Sequence, residues 1–515
     1  MMFGIPLKYS WITVPLFWAV TLLGVHFRLD VAQLNLLFAG LALFLFNPTE
    51  IKGNRRAAFG VIILSLIVLS FYFKAHFWGV PMFFAICVAA YFLGTNLSFL
   101  STAFLIIAFG AFSNLSFITN TEIGAVQYDF LSCYNYIEYV MENHLMFWHE
   151  NPLLTRPSYS TYHPILHYLI AGLAVMTGEA LGTTRAAANE ALQVLTVGYM
   201  LWYYVICYKI LELLFFKPTV KLVLLAFIVL FPAYNAIAGF INNDCLLLPL
   251  MAGSIYHTLR YYFDGKKKEL FYIWLYITAA CLTKLSGVLV LPITGVALLL
   301  RLIKDKRREV FYEQIIFFSA VLAGIMIWPL YQNFVLHISA DFVPPQNHLT
   351  LATFSFWERF NPLNAFIYER MFYDDYGKNF WETLTKTALF GQWNFALRGA
   401  GIMGFIKIMI FCYKLINALV IIAFLYLLVQ SRDKKLTMIF TALLLGLIGG
   451  LIAFSLQHPF MCNQDFRYIA ILPLAYALIL GQWADQLSPI LKRLILALLS
   501  VFAVLSCFIW FFVAR

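Results

Sequence analysis

The sequence predicts an all-α polytopic membrane protein, and three observations indicate this fold class. Of its 515 residues, 62% are hydrophobic and 12% are charged, whereas soluble domains average roughly 45–50% and about 25%. The apolar residues fall in long runs, and a run of about 17–25 residues can cross a bilayer as a helix. The mean hydropathy of +0.82 is that of a chain surrounded mainly by lipid.

The apolar runs predict a bundle of about 13–15 transmembrane helices. The first five candidates are residues 11–26, 31–46, 57–73, 77–93 and 97–112. The later ones are residues 191–213, 221–234, 245–261, 271–282, 287–300, 310–330, 412–429, 436–454, 469–483 and 494–513. We divide the chain into extra N-terminal helices over residues 1–96, a main module over residues 97–483 and a C-terminal helix over residues 484–515.

The basic residues orient these helices. Clusters such as residues 266–268 and 304–308 all fall on one side of the membrane only if the apolar run 164–176 does not cross. That run is shorter than the about 20 residues of a span, so it predicts an interfacial helix. Two long outer loops follow, at about 117–189 and 331–401, and residues 380–389 of the second predict an amphipathic helix in the headgroup zone.

Composition and motifs disfavour several functions. The net charge of +10 is explained by basic loops on one membrane face, so nucleic-acid binding is not expected. Eight cysteines without a CxxC pair predict small buried residues, not disulfides or zinc ligands. No Walker or Rossmann glycine motif appears, which disfavours nucleotide-driven transport.

Residues 122–164 are the first long polar interruption of the chain, and we interpret them as half of an active site at a membrane surface. Asp129 precedes a helical face that includes Cys133, Tyr136 and Val140. A carboxylate there could cap the helix. It could instead act as a general base that takes the proton of an attacking hydroxyl. Both interpretations stay open.

Three polar motifs further along the chain fall at the predicted outer face. Asn243 and Asp244 lie in an INND turn, where Asp244 could cap the next helix or serve a function that explains an ionisable group at membrane depth. Lys284, in LTKLSG, is a snorkelling lysine or a phosphate ligand. Arg467, in DFRY, could pair with Asp465 or bind phosphate through its guanidinium fork.

Possible metal ligands are fewer. His163 and His167 are four residues apart, as metal ligands can be, but no HExxH pattern accompanies them, so positioning is the alternative. A divalent metal is possible, with His163 and Asp129 as candidate ligands. Asp374 and Asp375 could bind a cation or sugar hydroxyls, or form a solvated acidic turn.

The order of these motifs carries a family resemblance. An aspartate before an amphipathic helix, then YHPILHY, an Asn-Asp turn, LTK and DFRY before a late span resemble polytopic GT-C glycosyltransferases. The nearest branch holds the protein O-mannosyltransferases, the lipid A aminoarabinose transferases and the RgtA/B/C/D-like bacterial enzymes. The resemblance covers about residues 97–483 and leaves the first four spans outside.

The resemblance implies a GT-C-like bundle that transfers a sugar from a polyprenyl phosphate to a glycan, lipid or protein acceptor at the outer membrane face. In-line displacement would invert the anomeric centre. Asp129 matches the catalytic base and Asp244 the second aspartate. The expected donor-phosphate ligands are Arg467, Lys284, Tyr162 and His163. Further expected substrate or acceptor contacts are Tyr128, Tyr136, Asn243, Asp374 and Asp375.

The sequence also predicts a setting. We expect the bacterial inner (plasma) membrane with the site facing outward, and membrane lipids, the polyprenyl-linked sugar and the acceptor as partners. One alternative is a secondary transporter or lipid flippase, a class that is expected to have internal repeats and midplane polar groups. Another is a noncatalytic scaffold, in which the aspartates could be neutralised without effect.

Overall fold

The protein is described by a computed structural model over residues 99–119, 121, 129–143, 163–337, 349–364, 377–391 and 402–513. The helices predicted over residues 1–96 and parts of both outer loops lie outside these ranges. Within them the chain is helical and contains no β-strand, and an isolated β-bridge joins Thr350 to Phe460. The predicted all-α class is confirmed.

The helices of the first part follow one another through short connections. They are α1 (Phe99–Thr119), α2 (Phe130–Glu142), α3 (Leu166–Ala180), α4 (Arg185–Glu190), α5 (Leu192–Leu213), α6 (Pro218–Val229), α7 (Ala233–Ala238), α8 (Asp244–Asp264) and α9 (Lys267–Thr283). A 3-10 helix, Leu285–Val290, leads into α10 (Leu291–Asp305) and then α11 (Arg308–Phe334).

The second part begins with two short helices and ends with four long ones. They are α12 (Phe356–Phe360), α13 (Phe380–Phe390), α14 (Met403–Gln430), α15 (Lys434–Gln457), α16 (Leu472–Ala484) and α17 (Pro489–Val513). Two 3-10 turns, Met461–Gln464 and Phe466–Ile469, connect α15 to α16. Pro218, at the first position of α6, is an example of proline where its missing N–H costs nothing.

Six of the described helices are long and apolar enough to cross a membrane. A seventh results if Met461–Ile469 and Leu472–Ala484, which meet at 56°, form one broken span. The chain is therefore an all-α membrane protein with several crossing helices. Each span predicted from residue 97 onward has a helix in the structure, but α1, α6, α8 and α9 are not among those that stand out by length and composition. Of these, α6 has 12 residues and α9 has 17.

The centre of the bundle is α5, which packs against α1 and α8. Helix α8 packs in turn against α9 and α10, and α10 packs against α15. The outer helices expose large apolar side chains, including Ile316 and Leu322 on α11 and Ile421 on α14. Exposed aliphatic side chains on crossing helices are stable in hydrocarbon and unfavourable in water, so these faces suit lipid.

Two helices test the predictions for the outer loops. The run predicted to be interfacial forms α3, 15 residues long, which packs along α2. The helix predicted at residues 380–389 is present as α13, but most of its side chains are buried, and it packs against α7 and the turn Phe466–Ile469. It can be buried because the hydroxyls of Thr385 and Thr387 bond to carbonyls of their own helix.

Candidate active site

The first element of the site is an ion pair between Asp129 and Arg467. Asp129 holds the N-cap position of α2, but its side chain makes no capping hydrogen bond. Its Oδ2 instead accepts a hydrogen bond from Nη1 of Arg467 at 2.7 Å. The Asp129 side chain is 40% exposed and that of Arg467 is 10% exposed. The carboxylate therefore faces the guanidinium and keeps an accessible side.

The turn before α16 positions Arg467. Asp465 caps this 3-10 turn, because its Oδ1 accepts a hydrogen bond from the Arg467 backbone N–H at 3.0 Å. The Asp465 Oδ2 also lies 3.7 Å from the Arg467 Nε. The pairing of Asp465 with Arg467 that the sequence suggested is therefore present, at a longer distance than the contact with Asp129. Phe466 anchors the turn, since its ring stacks on Phe231 and its N–H bonds to the hydroxyl of Thr387 on α13.

The second element is an ion pair between Asp244 and Lys284. Nζ of Lys284 donates to Oδ1 of Asp244 at 2.5 Å, and both side chains are buried. Asn242 fixes the carboxylate from the other side: its amide donates to Oδ2 of Asp244 at 2.9 Å, and its carbonyl accepts from the Asp244 N–H. Asn243 donates to the Thr283 carbonyl, which ties this turn to the end of α9 just before Lys284.

The two ion pairs meet at Tyr468. Its ring centroid is 4.5 Å from Nζ of Lys284 and 5.5 Å from Cζ of Arg467. His163 lies within electrostatic reach of both pairs. The structure therefore brings Asp129, Asp244, Lys284, Arg467 and His163 to one end of the bundle, from five separate segments of the chain.

The charges of this cluster shift two pKa values. Burial acts to raise the pKa of Asp129, but the charge and the hydrogen bond of Arg467 outweigh it, and the pKa lies below its ordinary value. Burial, and then the charge of Lys284, lower the pKa of His163 to about 3. At neutral pH the carboxylate is charged, and the imidazole is neutral.

A cavity of about 450 Å³ opens beside Lys284 and Tyr468. Its polar lining also includes His163, Gln332 and Asn463. Its apolar walls come from the 3-10 helix Leu285–Val290 and from α15, and they include Val288, Leu289, Leu451 and Phe454. Both α11 and α15 expose leucines near this end, Leu330 and Leu456. A cavity with a cationic polar end and an apolar wall suits an anionic headgroup that carries a hydrocarbon chain.

Two residues predicted to contact substrate or acceptor, Tyr136 and Asn243, are buried and bond to the segments that carry the site. Tyr136 is buried on α2, donates its hydroxyl to the His163 carbonyl at 3.2 Å and packs against the Tyr168 ring. Asn243 is buried in the INND turn. In this structure both side chains bond to backbone carbonyls of the protein itself, and not to an acceptor substrate. Tyr128, Tyr162, Asp374 and Asp375 lie outside the described residues.

The described residues do not by themselves fit a resident metal. Across those ranges, no three His, Cys, Asp or Glu side chains come together as an ion would require. His167, the possible partner of His163, is buried and bonds through Nε2 to the Ile241 carbonyl at 3.2 Å. It thereby holds α3 against the INND turn. A divalent metal stays a prediction, and no chemical step is derived through one.

Two residues of the cluster were not predicted as site residues. Asn242 was visible in the INND turn, but only the fold shows that its amide brackets Asp244. Tyr468 follows Arg467 directly, yet nothing in the sequence indicates that its ring would reach Lys284. For both, the signal was proximity to a predicted residue.

The chain matches none of the family models and none of the curated proteins compared with it. Its function therefore has to be inferred from the two ion pairs, the cavity and the order of the motifs.

Proposed function

We propose that the protein is a membrane glycosyltransferase that moves a sugar from a polyprenyl-phosphate donor to a glycan, lipid or protein acceptor at the outer membrane face. The observation that carries the proposal is the juxtaposition of a half-exposed carboxylate, two cations and a cavity with an apolar wall. These features meet the needs of the reaction: a base for the acceptor, positive charge for the phosphate and a path for the lipid.

The cavity supplies the donor site. The donor phosphate binds at the end lined by Lys284 and Tyr468, where a cation can stabilise the leaving group. The first isoprene units lie along Leu289 and Phe454, and the chain leaves between α11 and α15 toward lipid. The size fits, because ligand cavities are typically about 300–1,000 Å³.

The charge of the cluster gives the order of events. Among the described residues of the cluster, Asp129, Asp244 and Asp465 face the two cations Lys284 and Arg467, while His163 is neutral. Since each cation is already paired with a carboxylate, an anionic phosphate competes with a carboxylate for a cation. Asp129 is the carboxylate held by a single side-chain hydrogen bond and partly exposed, so it is the one released.

Release of Asp129 strengthens it as a base. Without the full charge of Arg467 beside it, its pKa rises toward the ordinary value. Asp129 then takes the proton of the acceptor hydroxyl as the acceptor oxygen bonds to the anomeric carbon. The bond from that carbon to the phosphate oxygen breaks on the opposite face, and polyprenyl phosphate leaves with the electron pair. The anomeric centre is inverted.

The same proposal includes the orientation. In α9 and α10, the basic residues at 266–268 and 304–308 lie at the helix ends remote from Lys284. Under the positive-inside rule the site then faces outward, which suits a bacterial inner membrane enzyme acting on envelope glycans.

Sugar transfer by the purified full-length protein in lipid nanodiscs tests the function. A panel of radiolabelled polyprenyl-phosphate sugars is offered with glycan and lipid acceptors from a deletion strain, and released polyprenyl phosphate is measured beside labelled product. We expect product and polyprenyl phosphate in equal amounts. Lipid movement between leaflets without sugar transfer would favour the flippase. Asp264→Asn, at the opposite end of α8, is the control and should keep full activity.

A further inference from the structure

We propose that Tyr468 is a positioning residue whose ring holds Lys284 and Arg467 so that both cations act on one anionic group in the cavity. This role rests on the proposed function. Tyr468 lines the cavity, and its ring contacts both cations, at 4.5 Å for Lys284 and 5.5 Å for Arg467.

Tyr468 contacts two groups of like charge. They belong to different segments, and each is tied to its own carboxylate, Asp244 for Lys284 and Asp129 for Arg467. Like charges repel strongly where water is scarce. The negative face of an aromatic ring attracts cations, so a ring that contacts both offsets part of this repulsion. Phe454 on α15 packs against Tyr468 at a centroid distance of 5.4 Å and supports the ring.

Tyr468 also connects the cavity to the base. Lys284 and Tyr468 line the cavity, whereas Arg467 does not line it and reaches Asp129. An anion that binds at Lys284 therefore meets the ring first, and a small movement of the ring changes the position of Arg467. The ring is the contact through which donor binding reaches the Asp129–Arg467 pair.

Two variants separate the ring from the hydroxyl. Tyr468→Phe keeps the cation contacts and Tyr468→Leu removes them. The measured quantities are the affinity for polyprenyl phosphate without sugar, from microscale thermophoresis in nanodiscs, and the donor KM and kcat of transfer. We expect Tyr468→Phe to stay within about threefold of the unaltered protein and Tyr468→Leu to lose about tenfold or more in affinity and in donor KM. The kcat should fall less than the affinity.

The matched control is Tyr426→Leu, which removes a half-buried ring on α14 that contacts Trp483. It should leave the affinity unchanged. If Tyr468→Leu does not fold, Tyr468→Met gives a second ring-free variant with an adaptable side chain.

Wild-type affinity in a folded ring-free variant would overturn the role of the ring, as would an equal loss in Tyr468→Phe. If the unaltered protein binds polyprenyl phosphate but transfers no sugar, the proposed function fails and the ring assignment is judged on binding alone. If it binds no polyprenyl phosphate, both fail.

Discussion

The two ion pairs of the site differ in how completely each carboxylate is held. Asp244 and Lys284 are both buried, and Asn242 occupies the second oxygen and the backbone N–H of Asp244. The Asp129 side chain is 40% exposed, and Arg467 is the one described donor of a hydrogen bond to its carboxylate. We call Asp244–Lys284 the closed pair, because its carboxylate is fully held, and Asp129–Arg467 the open pair, because its carboxylate is partly exposed.

The difference assigns different tasks to the two aspartates. Removing one partner of a buried pair leaves an uncompensated charge and costs about 3–5 kcal/mol. The Asp129–Arg467 pair is exposed on its carboxylate side only, so removing Asp129 should cost less than this. We therefore propose that Asp244 keeps Lys284 in place and that Asp129 is the base of the proposed reaction. The resemblance implied a catalytic role for both aspartates, and that role of Asp244 stays a prediction.

The largest expected effect is on the closed pair. Asp244→Asn leaves the Lys284 ammonium buried without a counter-charge, and we expect it to destabilise the protein by about 3–5 kcal/mol. Thermal unfolding in nanodiscs measures this. The double variant Asp244→Asn with Lys284→Met should recover much of the loss, because it removes both charges. An Asp244→Asn protein as stable as the unaltered one would contradict the comparison.

The next effect is on the open pair, and it falls on rate. Asp129→Asn should destabilise the protein less than Asp244→Asn, because the Asp129 side chain is 40% exposed and Asp465 still faces Arg467. Sugar transfer should fall by about 10²–10⁴, the usual contribution of a general base. The two measurements are made on one preparation. Asp129→Asn that unfolds like Asp244→Asn would show that the two pairs are equivalent.

A smaller effect should appear in the dependence of stability on pH, through His163 between the pairs. Its pKa of about 3 in the folded protein lies below the ordinary value of about 6.5. Between these values the unfolded chain binds a proton that the folded protein does not, so stability falls as the pH is lowered. The slope is up to about 1.4 kcal/mol per pH unit between about pH 6 and 4.

His163→Gln removes this titration. Unfolding midpoints measured from pH 7 to 4 should then fall less steeply than those of the unaltered protein. Gln457→Ala, in the lining of the same cavity, removes no titratable group; it is the control and should keep the original slope. Identical slopes for all three proteins would show that His163 is not held neutral.

The last expected effect comes from Asn242, whose side chain bonds to both Oδ2 and the backbone N–H of Asp244. Asn242→Ala leaves Oδ2 of Asp244 and its backbone N–H without their partners, which costs about 1–3 kcal/mol for a buried group. The donor KM should rise because Lys284 is held less firmly. Asn135→Ala, on the exposed face of α2, is the control. No change in either stability or KM would remove Asn242 from the site.

Much of the fold was predictable because a membrane span is recognised from the apolar residues of its own segment. The apolar runs from residue 97 onward correspond to helices, and the short run at residues 164–176 forms the 15-residue helix α3. Helix α13 was harder. Its threonines make the segment look polar, but the hydroxyls of Thr385 and Thr387 bond within the helix and that of Thr383 bonds to the Gly377 carbonyl, so the sequence pattern did not reveal its burial.

The site was predictable residue by residue and not pair by pair. Asp129, Asp244, Lys284 and Arg467 stood out because charges are costly near lipid. The partners did not, because Asp129 and Arg467 are separated by 338 residues and no local pattern records a contact of that range. Asp465 is the candidate partner nearer to Arg467 in the sequence, but its carboxylate is the more distant of the two from the guanidinium.

The affinity of Asp129→Asn for polyprenyl phosphate tests the central claim most directly. If Asp129 and the donor phosphate compete for Arg467, the Asp129→Asn substitution removes the competing negative charge and leaves the guanidinium available to the phosphate. We then predict that Asp129→Asn binds polyprenyl phosphate about tenfold more tightly, a gain of about 1.4 kcal/mol, while it loses sugar transfer. Unchanged or weaker binding, or transfer at the wild-type rate, would contradict the account.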